Sequence, residues 1–248
     1  HILITPEVND NMTDDEKSAA EKAALDKAKK LIADIKGGAD FEKVAKENSD
    51  DEGSAAKGGL VADFAKNTVV EPFWNASYKL KDGDIISIDI VVSYQGYMAD
   101  ACRTFTVGKV SQEAMRLIEV TKECFYKAME VCKPGNRVGD ISHAIQTHAE
   151  KNGYSVTRDF TGHGLGRSMH EDPSVPNFGI PGTGPILREG MTIAVEPIIL
   201  QGRKESRVLK DGWTAVTCDH KLAAHYENSI VITKDGYEIL TKHEEGEI

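Results

Sequence analysis

The sequence predicts an α+β protein made of a helix-rich N-terminal part and a larger part in which strands and helices are mixed. Between residues 16 and 35, apolar side chains recur at helical spacing. From residue 84 onward, runs rich in β-branched residues are separated by a two-residue turn signal. The chain of 248 residues, 40% hydrophobic and 28% charged, is long enough for a sizeable core. We place the boundary near residue 80 and predict domains at 1–80 and 81–248.

The N-terminal part is predicted to be mainly helical. Residues 1–6 alternate weakly between apolar and polar side chains and predict a short strand. A helix is predicted from Glu16 to Ile35, with Thr13 as a candidate N-cap and a Gly-Gly pair after its end. Two shorter helices are predicted over 41–47 and 69–78.

Several short motifs in this part resemble parvulin-type peptidyl-prolyl isomerases of the extracytoplasmic foldase kind. The motifs are His1-Ile2-Leu3-Ile4, Gly38-Ala39-Asp40-Phe41-Glu42, Ser49-Asp50-Asp51, Gly58-Gly59-Leu60 and Leu80-Lys81-Asp82-Gly83. The resemblance implies an isomerase site formed by His1, Asp50 or Asp51, Val69 and Phe73. The second histidine of the family's Gly-Tyr-His run is absent, since Met98 follows Gly96-Tyr97. The alternatives are residual isomerase activity and a folded module without activity.

A β-hairpin opens the larger part and carries two acidic residues. Strands are predicted over 84–93 and 97–107, joined by the turn Gln95-Gly96. This register sets Asp89 opposite Cys102 and makes Asp100 a diagonal neighbour of Asp89 on the same face, roughly 7–8 Å away. Two carboxylates at this separation can flank a pair of metal ions, whereas without a cation they repel one another.

The remaining helices and strands are predicted from the periodicity of apolar residues and from the glycine and proline residues that end regular structure. A helix capped by Ser111 is predicted to run to Cys132, and a second helix is predicted from Val138 to Asn152. Strands are predicted over 155–160, 192–199, 213–217 and 225–233. The four cysteines form no CxxC pair, which disfavours a zinc knuckle and indicates reduced thiols.

Three further residues complete a candidate metal-binding set. His163 lies between glycines after a predicted strand, while Glu196 and Glu227 interrupt apolar strand runs. A buried glutamate needs either an ion-pair partner or a metal, and for each glutamate alone an ion pair is the simpler interpretation. Together with Asp89 and Asp100, these residues form a set suited to two divalent ions of Co, Mn, Fe or Zn.

The same residues lie in motifs that closely resemble type I methionine aminopeptidases, with their pita-bread fold. The motifs include Ser87-Ile88-Asp89, Gly162-His163-Gly164, Met169-His170-Glu171-Asp172-Pro173, Glu196-Pro197, Asp211-Gly212-Trp213 and Glu227. The resemblance implies that Asp89 and Asp100 hold one ion. It also implies that Asp100, His163, Glu196 and Glu227 hold the other.

The resemblance implies roles for further residues as well. Glu196 shuttles a proton, and His170 donates a hydrogen bond during cleavage. Trp213 lines the slot for the methionine side chain, with Met169 nearby. The implied function is metal-dependent removal of N-terminal methionine from peptides and nascent chains. The alternative function is an isomerase or peptide-binding module on an inactive scaffold.

We hypothesise that the chain is a chimera, in which a parvulin-like segment replaces the N-terminal part of a truncated pita-bread core. That part of the family supplies another catalytic histidine and pocket walls, so we expect impaired activity. The net charge of −10 and the lack of a basic run exclude nucleic acid as a favoured partner. No apolar run approaches the length of a membrane span. The peptidase-like part suggests the cytoplasm and the parvulin-like part an extracytoplasmic parent, while the oligomeric state is left open.

Overall fold

The computed structural model describes residues 2–9, 11–59, 80–210, 212 and 214–242. Contacts between residues divide the chain into two units, His1–Lys79 and Leu80–Ile248. The predicted helix over 69–78 lies outside the described residues.

The described part of the first unit contains three helices: α1 (Asp14–Lys36), α2 (Phe41–Asn48) and α3 (Glu52–Ala55). A capping box starts α1, because Thr13 Oγ1 accepts from the Glu16 amide while the Glu16 carboxylate accepts from the Thr13 amide at 2.8 Å. The strand predicted over residues 1–6 is wrong for its described part, which has no regular structure. Its Leu3 amide donates to Ser49 Oγ instead of to a neighbouring strand.

The second unit opens with the hairpin of β1 (Ile85–Tyr94) and β2 (Tyr97–Thr106). Gln95 and Gly96 both have positive φ, at 49° and 80°, as a tight two-residue hairpin turn requires. The predicted register is confirmed: Asp89 lies opposite Cys102, and Asp100 lies opposite Val91. Asp89, Asp100 and Cys102 therefore share one face of the hairpin.

Two helices supply much of the core of this unit. In α4 (Gln112–Met129), Ser111 Oγ accepts from the Ala114 amide at 3.1 Å, which confirms the predicted cap. A second helix, α5 (Val138–Lys151), follows and packs against α4. The fully buried core residues on these two helices include Leu117, Val120, Cys124, Phe125, Ile141 and Ile145.

Short strands complete the unit. They are β3 (Ser155–Val156), β4 (Thr161–Gly164), β5 (Glu171–Pro176), β6 (Thr192–Val195), β7 (Ile198–Leu200), β8 (Ser206–Val208), β9 (Ala215–Thr217), β10 (Ala223–His225), β11 (Asn228–Ile232) and β12 (Tyr237–Ile239). One sheet has the order β12-β11-β6-β4-β5, a second has the order β10-β7-β3, and β8 pairs with β9.

Two of the predicted strands are each broken in two. The run over 192–199 splits at Glu196-Pro197 into β6 and β7, and the run over 225–233 splits at Tyr226-Glu227 into β10 and β11. The halves pair in different sheets, β6 with β11 and β7 with β10. Proline cannot donate to a strand ladder, which explains the first break. Each break leaves a glutamate between two sheets.

Glycine at position 164 is required by close packing. A Cβ built there would lie 2.2 Å from the Asp172 carbonyl oxygen. We predict that Gly164→Ala lowers the free energy of unfolding by about 1–3 kcal/mol, because the main chain must shift. Gly236→Ala is the control, since its Cβ would meet nothing within 4 Å. Urea unfolding of both variants tests this, and equal stability of the two variants would contradict it.

Candidate metal centre

The predicted ligand residues converge in the second unit. Asp100, His163, Glu196 and Glu227 are buried, while Asp89 is exposed at the rim. Ligand atoms of Asp100, His163 and Glu227 all lie within 4.8 Å of one another. His163 Nε2 is 3.8 Å from Asp100 Oδ2 and 3.6 Å from Glu196 Oε1. These separations exceed a hydrogen bond and are slightly longer than the roughly 3–3.5 Å between atoms that share one cation.

His163 is held with one ring nitrogen turned toward the carboxylates. Its Nδ1 is 2.9 Å from the Gly164 carbonyl oxygen and must donate, since a carbonyl only accepts. The deprotonated Nε2 is then available as a metal ligand, as is usual for histidines whose other nitrogen donates to a carbonyl. Burial lowers the pKa of His163, which further favours the neutral ring.

The main chain of Asp100 is fixed by one hydroxyl from β11. Ser229 Oγ accepts from the Asp100 amide at 2.8 Å and donates to the Asp100 carbonyl at 2.9 Å. The side chain of Asp100 thus keeps a defined position relative to β11, although the residue belongs to the hairpin. Its Oδ1 is buried and has no hydrogen-bond partner within the described part of the chain.

Glu227 sits in the break between β10 and β11. Its amide donates to the Cys102 carbonyl at 2.9 Å, which joins the break to β2. The Arg103 guanidinium donates to the carbonyl oxygens of Cys102 and Glu227 and to Asn228 Oδ1. Arg103 therefore fixes the main chain around Glu227, whose Oε1 lacks a hydrogen-bond partner among the described residues.

Burial, and then the crowding of carboxylates, raises the pKa values of these carboxyl groups. Burial, followed by the neighbouring Asp89 and Asp100, raises the pKa of Glu196 to about 8. Burial, followed by Glu196 and Asp100, raises the pKa of Glu227 to about 10. Asp89 is exposed overall, yet partial desolvation of its carboxyl group and the adjacent Asp100 raise its pKa to about 6. Without a cation the site therefore holds protons, and the unpaired carboxylate oxygens indicate that it fits divalent ions.

Two residues that were not predicted from the sequence lie beside the candidate ligands. Burial lowers the pKa of His225 to about 4, so its ring is neutral. Its Nε2 is 3.5 Å from Glu227 Oε2 and 3.8 Å from Glu196 Oε2. Cys102 is fully buried, and ligand atoms of Cys102, His225 and Asp89 lie within 4.8 Å of one another. The predicted register already placed Cys102 opposite Asp89, which was the available signal.

The residues expected to contact substrate are only partly described. His170 is exposed, and its ring centroid is 4.4 Å from that of His163 in an edge-to-face arrangement. Met169 is 39% exposed next to it. Trp213 lies outside the described residues. His170 is thus positioned at the open side of the cluster.

The isomerase candidates do not form a site in the described residues. The Asp50 carboxylate accepts from the Thr5 amide at 2.6 Å and from Thr5 Oγ1 at 2.8 Å. The Asp51 carboxylate accepts from Ser54 Oγ at 2.6 Å. Asp50 therefore ties the N-terminal segment to the chain after α2, and Asp51 is engaged at the start of α3. His1, Val69 and Phe73 lie outside the described residues.

Comparison with known proteins identifies the family. The model of metallopeptidase family M24 matches residues 15–234. The chain belongs to metallopeptidase family M24. This M24 chain has the α+β pita-bread fold, as predicted.

Relatives of this M24 chain include bacterial methionine aminopeptidases. It is 54% identical over 175 residues to the methionine aminopeptidase of Clostridium perfringens, covering 71% of this chain and 70% of the relative. It is 48% identical to methionine aminopeptidase 1 of Bacillus subtilis, covering 66% of each. The matches thus span about two thirds of the length of these curated relatives.

Solved structures show the same fold. The methionine aminopeptidase of Thermotoga maritima superposes with a TM-score of 0.65 at 49% identity, over 66% of each chain. The prolidase of Pyrococcus horikoshii gives a TM-score of 0.55 at 29% identity, over 68% of this chain and 43% of that chain.

The chimera hypothesis is wrong. The M24 model begins at residue 15 and takes in most of the part that we assigned to a parvulin-like isomerase. Several of the motifs behind that assignment are helix caps and glycine turns, such as the Asp40 cap of α2 and the positive φ of Gly58 and Gly59. Backbone geometry favours such residues at helix ends in any fold. The parvulin-like segment, its isomerase site and the truncated core joined to it are therefore withdrawn.

The predicted cofactors are confirmed at the level of the family. Methionine aminopeptidases of family M24 use two divalent ions, of Co, Mn, Fe or Zn, and the chain contains grouped ligand residues that suit them. None of the described helices combines the length and the apolar character needed to cross a bilayer.

The pKa shifts predict how stability depends on pH without metal. Glu196 has an ordinary pKa of 4.5 in the unfolded chain and about 8 when folded. Between about pH 5 and pH 8 the unfolded chain therefore binds fewer protons, so stability is lost as the pH rises. We expect the melting temperature of metal-free protein to fall across this range and Mn²⁺ to remove much of the fall.

Thermal unfolding with chelator and with Mn²⁺ measures this effect. Glu227→Gln is the informative variant, since glutamine cannot ionise and so a smaller fall is expected. A melting temperature of the metal-free protein that does not change between these pH values would rule out the proposed burial of protonated carboxyl groups.

Proposed function

We propose that this protein removes N-terminal methionine from peptides, including newly made chains, with two divalent ions. The convergence of Asp100, Glu196 and Glu227 around His163 Nε2 is the observation that carries the proposal. The similarity to methionine aminopeptidases over 162–175 residues supports the same function. Asp89 and Asp100 would hold one ion, and Asp100, His163, Glu196 and Glu227 the other.

The proposal gives distinct tasks to the protein's own groups. When bound, the two ions supply Lewis acidity that polarises the scissile carbonyl and lowers the pKa of water. Glu196 takes up a proton and returns it to the leaving amine, a task that suits a carboxyl group whose pKa burial raises toward neutrality. His170, at the open side, donates a hydrogen bond to the carbonyl oxygen as negative charge develops there.

The substrate's side chain is assigned to Met169 and Trp213. Met169 adjoins His170, so an apolar side chain placed there would lie beside the group that contacts the scissile bond. A flexible thioether adapts well to another thioether side chain. The role of Trp213 rests on its motif alone.

The expected impairment falls with the chimera hypothesis, on which its argument depended. The cytoplasmic location stays a prediction. The extracytoplasmic parent falls with the isomerase assignment.

Removal of one central ligand should weaken metal binding strongly. We predict that Glu227→Gln weakens metal binding at least about 10–100-fold, because one carboxylate oxygen that faces the ions is replaced by an amide. Release of methionine from a Met-Ala peptide should fall in parallel. Glu238→Gln is the matched control, because Glu238 is an exposed glutamate on β12. Metal content by plasma emission spectroscopy and methionine release by chromatography decide it. Two tightly bound ions in Glu227→Gln would contradict the ligand assignment.

His170 should affect the rate but not the metal content. We predict that His170→Ala lowers the rate of methionine release about 10²–10³-fold, the usual cost of losing one donor to a developing oxyanion. The control is His143→Ala, which removes an exposed histidine of α5. Steady-state kinetics with Mn²⁺-loaded protein provide the measurement. A variant with unchanged kcat, or with lost metal, would show that His170 has another role.

A further inference from the structure

A second group of metal-ligand side chains lies next to the proposed centre. Asp89, Cys102 and His225 each offer one ligand atom, and these atoms lie within 4.8 Å of one another. The group shares Asp89 with the proposed dinuclear set. Cys102 and His225 have no task in the proposed reaction.

The three side chains come from three strands with fixed positions. Asp89 and Cys102 are direct partners across β1 and β2, so they point to the same face. His225 ends β10, where its amide donates to Thr104 Oγ1 at 2.8 Å and its carbonyl accepts from that hydroxyl at 2.9 Å. Because Thr104 lies two residues after Cys102 on β2, this double contact sets His225 beside Cys102. The arrangement is thus built by main-chain contacts.

The chemistry of the group favours a soft or borderline cation. Cys102 is fully buried and forms no disulfide. His225 Nε2 is buried and lacks a hydrogen-bond partner in the described part of the chain. Sulfur, nitrogen and oxygen ligands together suit Zn²⁺ or Cd²⁺ better than Mn²⁺.

We propose that Asp89, Cys102 and His225 form a binding site for a thiophilic divalent cation of the Zn²⁺ and Cd²⁺ class. On binding, a sulfur–metal bond forms, the S–H bond breaks, and the proton passes to the buffer. The cation takes Asp89 away from the dinuclear set. A thiophilic cation therefore inhibits methionine release that Mn²⁺ supports, a consequence that rests on the proposed function, whereas the site itself does not.

Cd²⁺ titration of the whole chain tests the site directly. Binding should produce the ultraviolet charge-transfer band of a cadmium–thiolate bond. Cys102→Ser should abolish the band, and Cys218→Ser should keep it, since Cys218 is the exposed cysteine. His225→Gln is a second variant, which should retain the band but weaken Cd²⁺ binding about tenfold or more. Wild-type protein without a band, or a band that depends on Cys218 or persists in Cys102→Ser, would overturn the proposal.

The outcome is separable from that of the proposed function. Glu227→Gln removes a ligand of the dinuclear set but none of this group, so its cadmium–thiolate band should persist. A band in a protein that releases no methionine with Mn²⁺ would support this site and count against the aminopeptidase. Methionine release with Mn²⁺ in a protein that shows no cadmium–thiolate band would support the aminopeptidase and count against this site.

Discussion

The structure depends on the burial of several carboxyl groups around one neutral imidazole. Asp100, Glu196 and Glu227 are largely withdrawn from water, and their charges would repel one another without compensation. The nearby Arg103 compensates them only in part. Its charge lowers the pKa of Glu227 by less than burial raises it, and its hydrogen bonds go to main-chain carbonyls and to Asn228. Protons or divalent cations must supply the balancing charge, and a site of this kind exchanges one for the other.

The fold brings these acids together by breaking strands. The halves of each interrupted run enter different sheets, so the glutamate at each break faces a space between sheets rather than one face of a single sheet. The hairpin supplies its two aspartates through an alternating pattern on one face. A mixed architecture of short strands is therefore what allows distant segments to share one small volume.

Much of the site could be predicted because its signals are local. A two-residue turn fixes hairpin register, so the relation of Asp89, Asp100 and Cys102 followed from counting residues. A glutamate inside an apolar run needs an ion-pair partner or a metal ion, and this requirement singled out Glu196 and Glu227. The strand breaks were not predictable, because periodicity does not reveal which neighbour each half joins. His225 was missed for the same reason, since its place beside Cys102 depends on a contact with Thr104.

The error in the N-terminal part has a different cause. Capping residues and glycine turns report how a helix begins or ends, and they recur in unrelated proteins. Such motifs describe local backbone conformation and carry little information about ancestry. The ligand motifs of the second unit are more specific, because each places a costly side chain in an apolar setting.

Ser229 has a consequence for how the two halves of the ligand set move. Its hydroxyl forms hydrogen bonds with both the amide and the carbonyl of Asp100. In a continuous sheet, a neighbouring strand would make these two hydrogen bonds. Ser229 thereby couples β11 to the hairpin, alongside the hydrogen bond from Arg103 to Asn228. The aspartate of one segment and the glutamate that precedes β11 are therefore tied to the same strand, which limits how far their main chains can separate.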